Sequence, residues 1–226
     1  FLQLNKMDKI LFINACVRPN SRTLNLAKYV IEKLYGEVEE VKLCDEELFP
    51  LTLKEIELRD ISAKNKDFSH DAFRLAKQFA LADTIVLAAP YWDLMFPAVV
   101  KNYFENITVN GLTFAYGENG IPYGLCKAKK LIYVTTSGGP IVYNFGFDYV
   151  TALAKCFYGI TEVQFVSAQG LDVYGADVTK IIEEAKQSNT KINIFPLTIC
   201  PTSNASISSP AISFTKRLGA VLALAA

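Results

Sequence analysis

Apolar and polar residues follow two different rhythms along this chain, and the switches between them predict its elements. Residues 9–15 (KILFINA), 84–89 (TIVLAA) and 130–136 (KLIYVTT) are short, mainly apolar runs with many β-branched side chains. Such runs predict strands buried on both faces of a sheet. Residues 37–43 (EVEEVKL) alternate polar and apolar, which predicts a strand nearer the sheet edge, and residues 162–167 predict a fifth. Between the runs the spacing becomes helical. One helix carries Ala27, Val30, Ile31 and Leu34 and ends at Gly36, and another carries Ala72, Leu75, Ala76 and Phe79 within residues 71–81. Pro97 opens a third with Val100, Phe104 and Ile107 on one face. Val150, Leu153, Ala154 and Phe157 mark a fourth, and residues 177–187 an amphipathic last one. Strands alternating with helices predict an α/β fold, a doubly wound parallel sheet with helices on both faces.

Other stretches break the rhythm. Residues 44–69 are charged and irregular around Pro50, and read as a surface excursion with a short helix. In residues 111–126, Leu112, Phe114 and Tyr116 alternate before Asn119-Gly120, a turn signal that predicts a β-hairpin or arm. Residues 1–6 (FLQLNK) show no pattern, so Met7 reads as the native start behind a short cloning remnant, and residues 7–187 as the folded domain. After about residue 188 the character changes, and residues 192–215 hold no charged side chain. A sixth strand with a loop is one reading of this tail. The preferred one is a vector-derived, out-of-frame or poorly ordered segment foreign to the α/β design.

Composition narrows the partners. The 226 residues are 51% hydrophobic and 20% charged with zero formal net charge, as in an ordinary globular protein. With no basic block, neither nucleic acid nor an anionic membrane is expected as a partner. No apolar run is long enough to span a bilayer and the N-terminus does not read as a signal peptide, so the cytoplasm is the expected address. Cys16, Cys44, Cys126, Cys156 and Cys200 form no CxxC pair and are expected to be reduced and mostly buried.

Candidate chemistry lies in three loops that follow predicted strands. The first supplies Arg18, Ser21, Arg22 and Thr23 just where a helix begins; amides, helix dipole and hydroxyls there favour a phosphate dianion. It lacks a dinucleotide glycine fingerprint and a Walker lysine, which suits a single terminal phosphate better than a pyrophosphate. The competing reading is that Ser21 only caps the helix and the arginines are solvated. The second loop, Tyr91-Trp92-Asp93-Leu94-Met95-Phe96 between Pro90 and Pro97, is too bulky for a plain connection and reads either as one wall of a flat pocket or as a satellite core. The third, Thr136-Ser137-Gly138-Gly139, offers hydroxyls and glycines that let a backbone approach a ligand. Parallel strands would open all three on one edge of the sheet, where α/β proteins bind ligands. Together they suit a flat, singly phosphorylated ligand such as FMN. The only histidine, His70, begins a helix and reads as a surface residue, and no cluster has metal-ligand spacing.

Residues 7–187, and most strongly 83–140, resemble a known family. Pro90, an aromatic loop, Pro97, Lys101, Tyr103, Phe104 and Glu105, then Gly111, Thr113, Phe114, Tyr116, an Glu118-Asn119-Gly120 turn and Gly138-Gly139, are similar to the core of the FMN-dependent NAD(P)H azoreductases and related quinone reductases. The resemblance implies a flavodoxin-like, five-stranded parallel sheet of order 2-1-3-4-5. It implies that Ser21, Arg22 and Thr23 hold the FMN phosphate, where the loop's own chemistry adds Arg18, that Pro90, Tyr91, Trp92, Asp93 and Leu94 line the isoalloxazine, and that Thr136, Ser137, Gly138 and Gly139 hold the ring's other polar edge. Trp92, Phe96, Phe114 and Tyr116 are expected along the substrate. Asp93 stands where asparagine is more usual, and a carboxylate there is expected to alter the flavin's potential or the fit of the hydride donor. Ala15-Cys16 replaces a frequent serine, with the loss of one phosphate or ribityl contact.

The activity so implied is ping-pong transfer of hydride from NADH or NADPH through FMN to a quinone or azo compound, with no side-chain acid assigned and a homodimer whose second subunit completes the pocket. A flavodoxin-like electron carrier is the alternative, although such carriers are typically shorter and strongly acidic. A flavin-less scaffold using the aromatic loop as a partner surface is a third.

Overall fold

The computed structural model describes residues 7–188, so the expectations for residues 1–6 and for 189–226 lie outside the described residues. The chain runs β1 (Lys9–Asn14), α1 (Arg22–Glu32), β2 (Glu37–Lys42), α2 (Leu53–Asn65), α3 (Arg74–Leu81), β3 (Thr84–Ala88), α4 (Ala98–Ile107), β4 (Phe114–Tyr116), β5 (Pro122–Gly124), β6 (Lys130–Thr136), α5 (Phe145–Leu153), β7 (Glu162–Ala168) and α6 (Val178–Ser188). Five strands form one sheet of order β2-β1-β3-β6-β7 with every neighbouring pair parallel. Counted among themselves these strands have the expected order 2-1-3-4-5. β4 and β5 pair separately as the antiparallel hairpin that Asn119-Gly120 announced.

The unbroken apolar runs have a simple cause. Side chains of a strand alternate between faces, and here both faces are covered. Leu11, Ile13, Ile85 and Leu87 face Phe79, Val100, Tyr103, Phe104 and Val150, the layer of α3, α4 and α5. Ile10, Phe12, Val86 and Ala88 face Leu26, Ala27 and Val30 of α1 and Ala185 of α6. β2, at the edge, buries only Val41, which accounts for its polar sequence.

Three elements differ from the sequence reading. α2 has 13 residues rather than one short turn or two. It gave no amphipathic signal because Leu53, Ile56 and Ile61 point to solvent. It is fixed instead at its ends and by one arginine: Thr52 and Glu55 form a capping box, and Arg59 donates to the Glu105 and Asn106 carbonyls at the end of α4 (3.0 and 2.8 Å). The stretch from Asp71 opens with a 3₁₀ turn, Asp71–Phe73, where exposed His70 accepts the Ala72 amide through Nδ1 (3.1 Å). α5 passes into a π turn, Ala154–Tyr158, closed by Gly159 at φ 71°. That turn brings the Tyr158 hydroxyl within 2.6 Å of the Thr108 hydroxyl.

The cysteine expectation is also corrected. Cys126 is buried, but Cys44 and Cys156 are exposed and Cys16 is half-buried, all four as free thiols. Cys44 lies just beyond the edge strand and Cys156 on the π turn, where no second layer covers them. Burial pushes the Cys126 thiol up to about 12, so it stays protonated at pH 8. A thiol reagent at that pH is expected to label Cys44 and Cys156 and spare Cys126; early labelling of Cys126 would contradict its burial. The hairpin offers a second test. Gly124 lies so close to Tyr158 that an added Cβ would overlap its backbone carbonyl. Gly124→Ala should therefore lower the thermal midpoint by several degrees, about the effect of 1–3 kcal/mol of overpacking. An unchanged midpoint would mean that the hairpin does not dock as described.

Candidate functional site

Parallel strands deliver their carboxyl ends to one edge, and loops from four of them enclose a cleft of about 690 Å³ there. Its walls come from residues 17–23, 90–92, 136–138 and 171–172. A volume of this size is typical for a site that takes a cofactor-sized ligand.

The loop after β1 ends in the first turn of α1. Ser21 is extended (φ −65°, ψ 127°) and its Oγ accepts the Leu24 amide at 3.3 Å, so it is the N-cap. Its hydroxyl hydrogen can still be donated. First-turn amides of a helix have no intrahelical partner, which leaves those of Arg22 and Thr23 available to an anion. Thr23 is 1% exposed, and its hydroxyl pairs with that of Thr136 at 2.7 Å. Arg22 does not lie free: Nη1 donates to Asp172 Oδ1 at 2.8 Å and to the Leu171 carbonyl at 3.3 Å. Arg18 lines the cleft and is exposed.

On the opposite side, Pro90, Tyr91 and Trp92 line the cleft. Tyr91 is held twice, by its amide to the Thr136 carbonyl (3.1 Å) and by its hydroxyl to the Tyr143 carbonyl (2.7 Å). Beyond it the chain makes a tight reversal, with Trp92 and Met95 exchanging backbone hydrogen bonds at 3.1 and 2.8 Å. Asp93 and Leu94 sit at its tip with φ of 50° and 66°. Aspartate tolerates this left-handed backbone better than most residues, which explains Asp93 as a turn residue. Neither Asp93 nor Leu94 lines the cleft within one chain, contrary to their expected place along the ring. Phe96 is corrected as well: it is 5% exposed and packs on Phe104 and Tyr149 in the core. Phe114 is buried edge-on against Tyr116 and Phe157, and exposed Tyr116 stands on the hairpin, both outside this cleft.

The glycine loop is organised by a partner that the sequence reading missed. Gly170, Leu171 and Asp172 donate their amides to the carbonyls of Gly139, Ser137 and Gly138 (3.2, 3.1 and 2.9 Å). The carbonyls are thereby used, while the amides of Gly138 and Gly139 bond to no described residue. Ser137 Oγ is spent within the loop on the Gly139 carbonyl (2.6 Å), and Gly139 itself lies just outside the lining. The Asp172 carboxylate rests where a Gly138 Cβ would be, so a larger residue there would have to displace that side chain. Val17, Asn20, Leu171 and Asp172 were not singled out from sequence. Asp172 was findable in principle, since it follows a fifth parallel strand whose end must share the same edge.

Comparison with known proteins agrees with this geometry. The model of the flavodoxin-like fold family matches residues 8–192. An FMN-dependent NADH:quinone oxidoreductase of Coprothermobacter proteolyticus is 35% identical over 192 residues, covering 79% of this chain and 94% of that one. The crystal structure of an azoreductase from Bacillus anthracis superposes with a TM-score of 0.68 at 26% identity, over 80% of this chain and 96% of the other. An FMN-dependent NADH-azoreductase of the same organism, in complex with FMN, gives 0.66 at 25% identity over 80% and 95%.

The Thr23–Thr136 pair makes a stability prediction. Thr23→Val keeps the shape but strands the Thr136 hydroxyl at a site 9% exposed. Loss of about 1–3 kcal/mol is expected, read as a lower midpoint in urea at unchanged slope. A variant as stable as the parent would show that solvent satisfies Thr136.

Proposed function

This chain belongs to the flavodoxin-like fold family, and from that membership and the cleft we propose that it is an FMN-dependent oxidoreductase, taking hydride from NADH and passing the electrons to quinones and azo compounds. The observation that carries the reading is the convergence, in one cleft, of phosphate donors at the start of α1, the Tyr91-Trp92 wall and Gly138, whose amide, like that of Gly139 next to it, bonds to no described residue. The donor set fits FMN: one helix N-terminus with two arginines for one phosphate, and an apolar wall for a flat ring. When bound, FMN supplies two-electron transfer in alternation between donor and acceptor, a ping-pong cycle.

The chain's own residues bind and orient. Ser21, the Arg22 and Thr23 amides, and the Arg18 and Arg22 guanidinia hold the phosphate. Pro90, Tyr91 and Trp92 form the ring wall, with Tyr91 fixed by its two hydrogen bonds. The Gly138 and Gly139 amides donate to the ring edge that gains electron density on reduction. Thr136, which also lines the cleft, holds Thr23 and Tyr91 in place.

A homodimer completes the site in this reading. Trp92, Leu94, Val142, Tyr143 and Phe145 leave large apolar surfaces exposed around the aromatic turn, and Tyr143 stacks on Phe145 at 5.6 Å between centroids. Such a patch beside a cleft supports a subunit contact. Asp93, Leu94, Phe114 and Tyr116 would then reach substrate across the interface. Among the described residues no helix is long and apolar enough to cross a membrane, and the free thiols favour the cytoplasm.

Anaerobic addition of FMN and then NADH is expected to bleach the flavin's visible absorbance, with colour restored by a quinone or an azo dye. Binding without bleaching would make the protein an electron carrier. The phosphate contact has its own test: Arg22→Ala should weaken FMN by about tenfold, the worth of one charge-assisted bond, and leave riboflavin affinity unchanged. Equal losses for both ligands would remove Arg22 from the phosphate.

A further inference from the structure

We propose that Asp172 is an internal competitor for the FMN phosphate. Its carboxylate takes the place on Arg22 that the phosphate needs, and so sets how strongly the cleft prefers FMN to an unphosphorylated flavin. The proposal rests on the reading that Arg22 and the start of α1 hold that phosphate.

Charge singles out this residue. Among the described residues that line the cleft, Arg18 and Arg22 are basic and Asp172 alone is acidic. The first turn of α1 contains no acidic residue of its own, although the positive end of a helix favours one. Asp172, delivered from beyond the end of β7, supplies it. One carboxylate oxygen, Oδ1, accepts from Arg22 Nη1 at 2.8 Å, and the other, Oδ2, rests against Gly138. The carboxylate thus stands between two groups that this reading gives to one ligand, the phosphate donor Arg22 and the ring-edge donor Gly138.

Its loop does not need the side chain to stay in place. The amides of Gly170, Leu171 and Asp172 are already bonded to the carbonyls of Gly139, Ser137 and Gly138, and the Val173 amide closes back on the Gly170 carbonyl at 3.2 Å. Arg22 has the Leu171 carbonyl at 3.3 Å as a second partner, so losing the carboxylate does not leave it unpaired. Both side chains are largely exposed, and the carboxylate can turn out to water at the cost of one surface ion pair.

A phosphate dianion that reaches Arg22 makes charge-assisted bonds there and repels the carboxylate beside it. FMN binding is therefore an exchange of one anion for another, and it gains less than a new ion pair would. Riboflavin brings no anion, leaves the Arg22–Asp172 pair closed and escapes the competition.

The test titrates FMN and riboflavin into the purified protein and follows the quenching of flavin fluorescence. Asp172→Asn keeps the size and the backbone bonds and removes the charge. It should bind FMN about fivefold more tightly, the upper worth of an exposed ion pair, with riboflavin affinity unchanged. Asp172→Ser should do the same, which separates loss of charge from any fault peculiar to asparagine. In an Arg22→Ala background the gain from Asp172→Asn should largely vanish, because the two anions have nothing left to compete for. An FMN affinity that stays the same or falls in Asp172→Asn would overturn the competition, while bleaching by NADH would leave the oxidoreductase reading standing. An undiminished gain without Arg22, or an equal gain for riboflavin, would overturn it too. If the parent binds no FMN, the oxidoreductase reading fails and inorganic phosphate becomes the probe. A larger phosphate-induced rise in thermal midpoint for Asp172→Asn than for the parent then supports the competition, and an equal rise overturns it.

Discussion

Thr136 is the point on which the site depends. Its hydroxyl meets that of Thr23 at 2.7 Å and its carbonyl accepts the Tyr91 amide at 3.1 Å, so one residue at the end of β6 ties down the start of α1 and the start of the aromatic turn. The bonds are individually modest, about 1 kcal/mol net each, but they are buried, and a buried group left unpaired costs more than a made bond contributes. That asymmetry keeps the walls in register with the sheet. Ser137, one residue on, passes the constraint to the glycine loop through the Leu171 amide on its carbonyl.

The parallel sheet sets what these loops can do. With both faces covered by helices, no polar face remains for a ligand, and the free backbone groups collect at the strand ends. At the carboxyl edge these are amides: the first turn of α1 and the Gly138 and Gly139 pair. Amides and arginines favour anions, and Asp172 moderates the charge by holding Arg22 across the mouth of the cleft. The pair is largely exposed, with side chains 44% and 69% accessible, so it contributes at most about 1 kcal/mol and can open readily for a stronger acceptor such as a phosphate.

Outside this edge the chain spends its unusual residues on support. The long excursion after β2 becomes a helix whose Arg59 closes the end of α4, the helix that follows the aromatic turn. The π turn seats the β4–β5 hairpin through Gly124 and anchors Thr108 through Tyr158. Both devices stiffen the layer behind Trp92 without touching the cleft.

Much of this was legible in the sequence. Apolar runs such as KILFINA and TIVLAA revealed strands covered on both sides, and helical spacing between them implied parallel connections, hence a common edge for the loops. Ser21, Arg22, Thr23, Tyr91, Trp92 and Gly138 line that edge because residue type and position after a strand are local properties. Which way a ring points is not local. Phe96 belongs to the same apolar loop as Trp92, but α4 and Tyr149 of α5 take it into the core while the Asp93-Leu94 reversal leaves Trp92 outside. Asp172 joins the site only because β7 lies beside β6. Sequence by itself determined the elements, their order and the chemistry at the strand ends, since these follow from short-range periodicity and turn composition. Tertiary structure decided the partners, because register and packing direction arise from contacts between residues far apart in the chain.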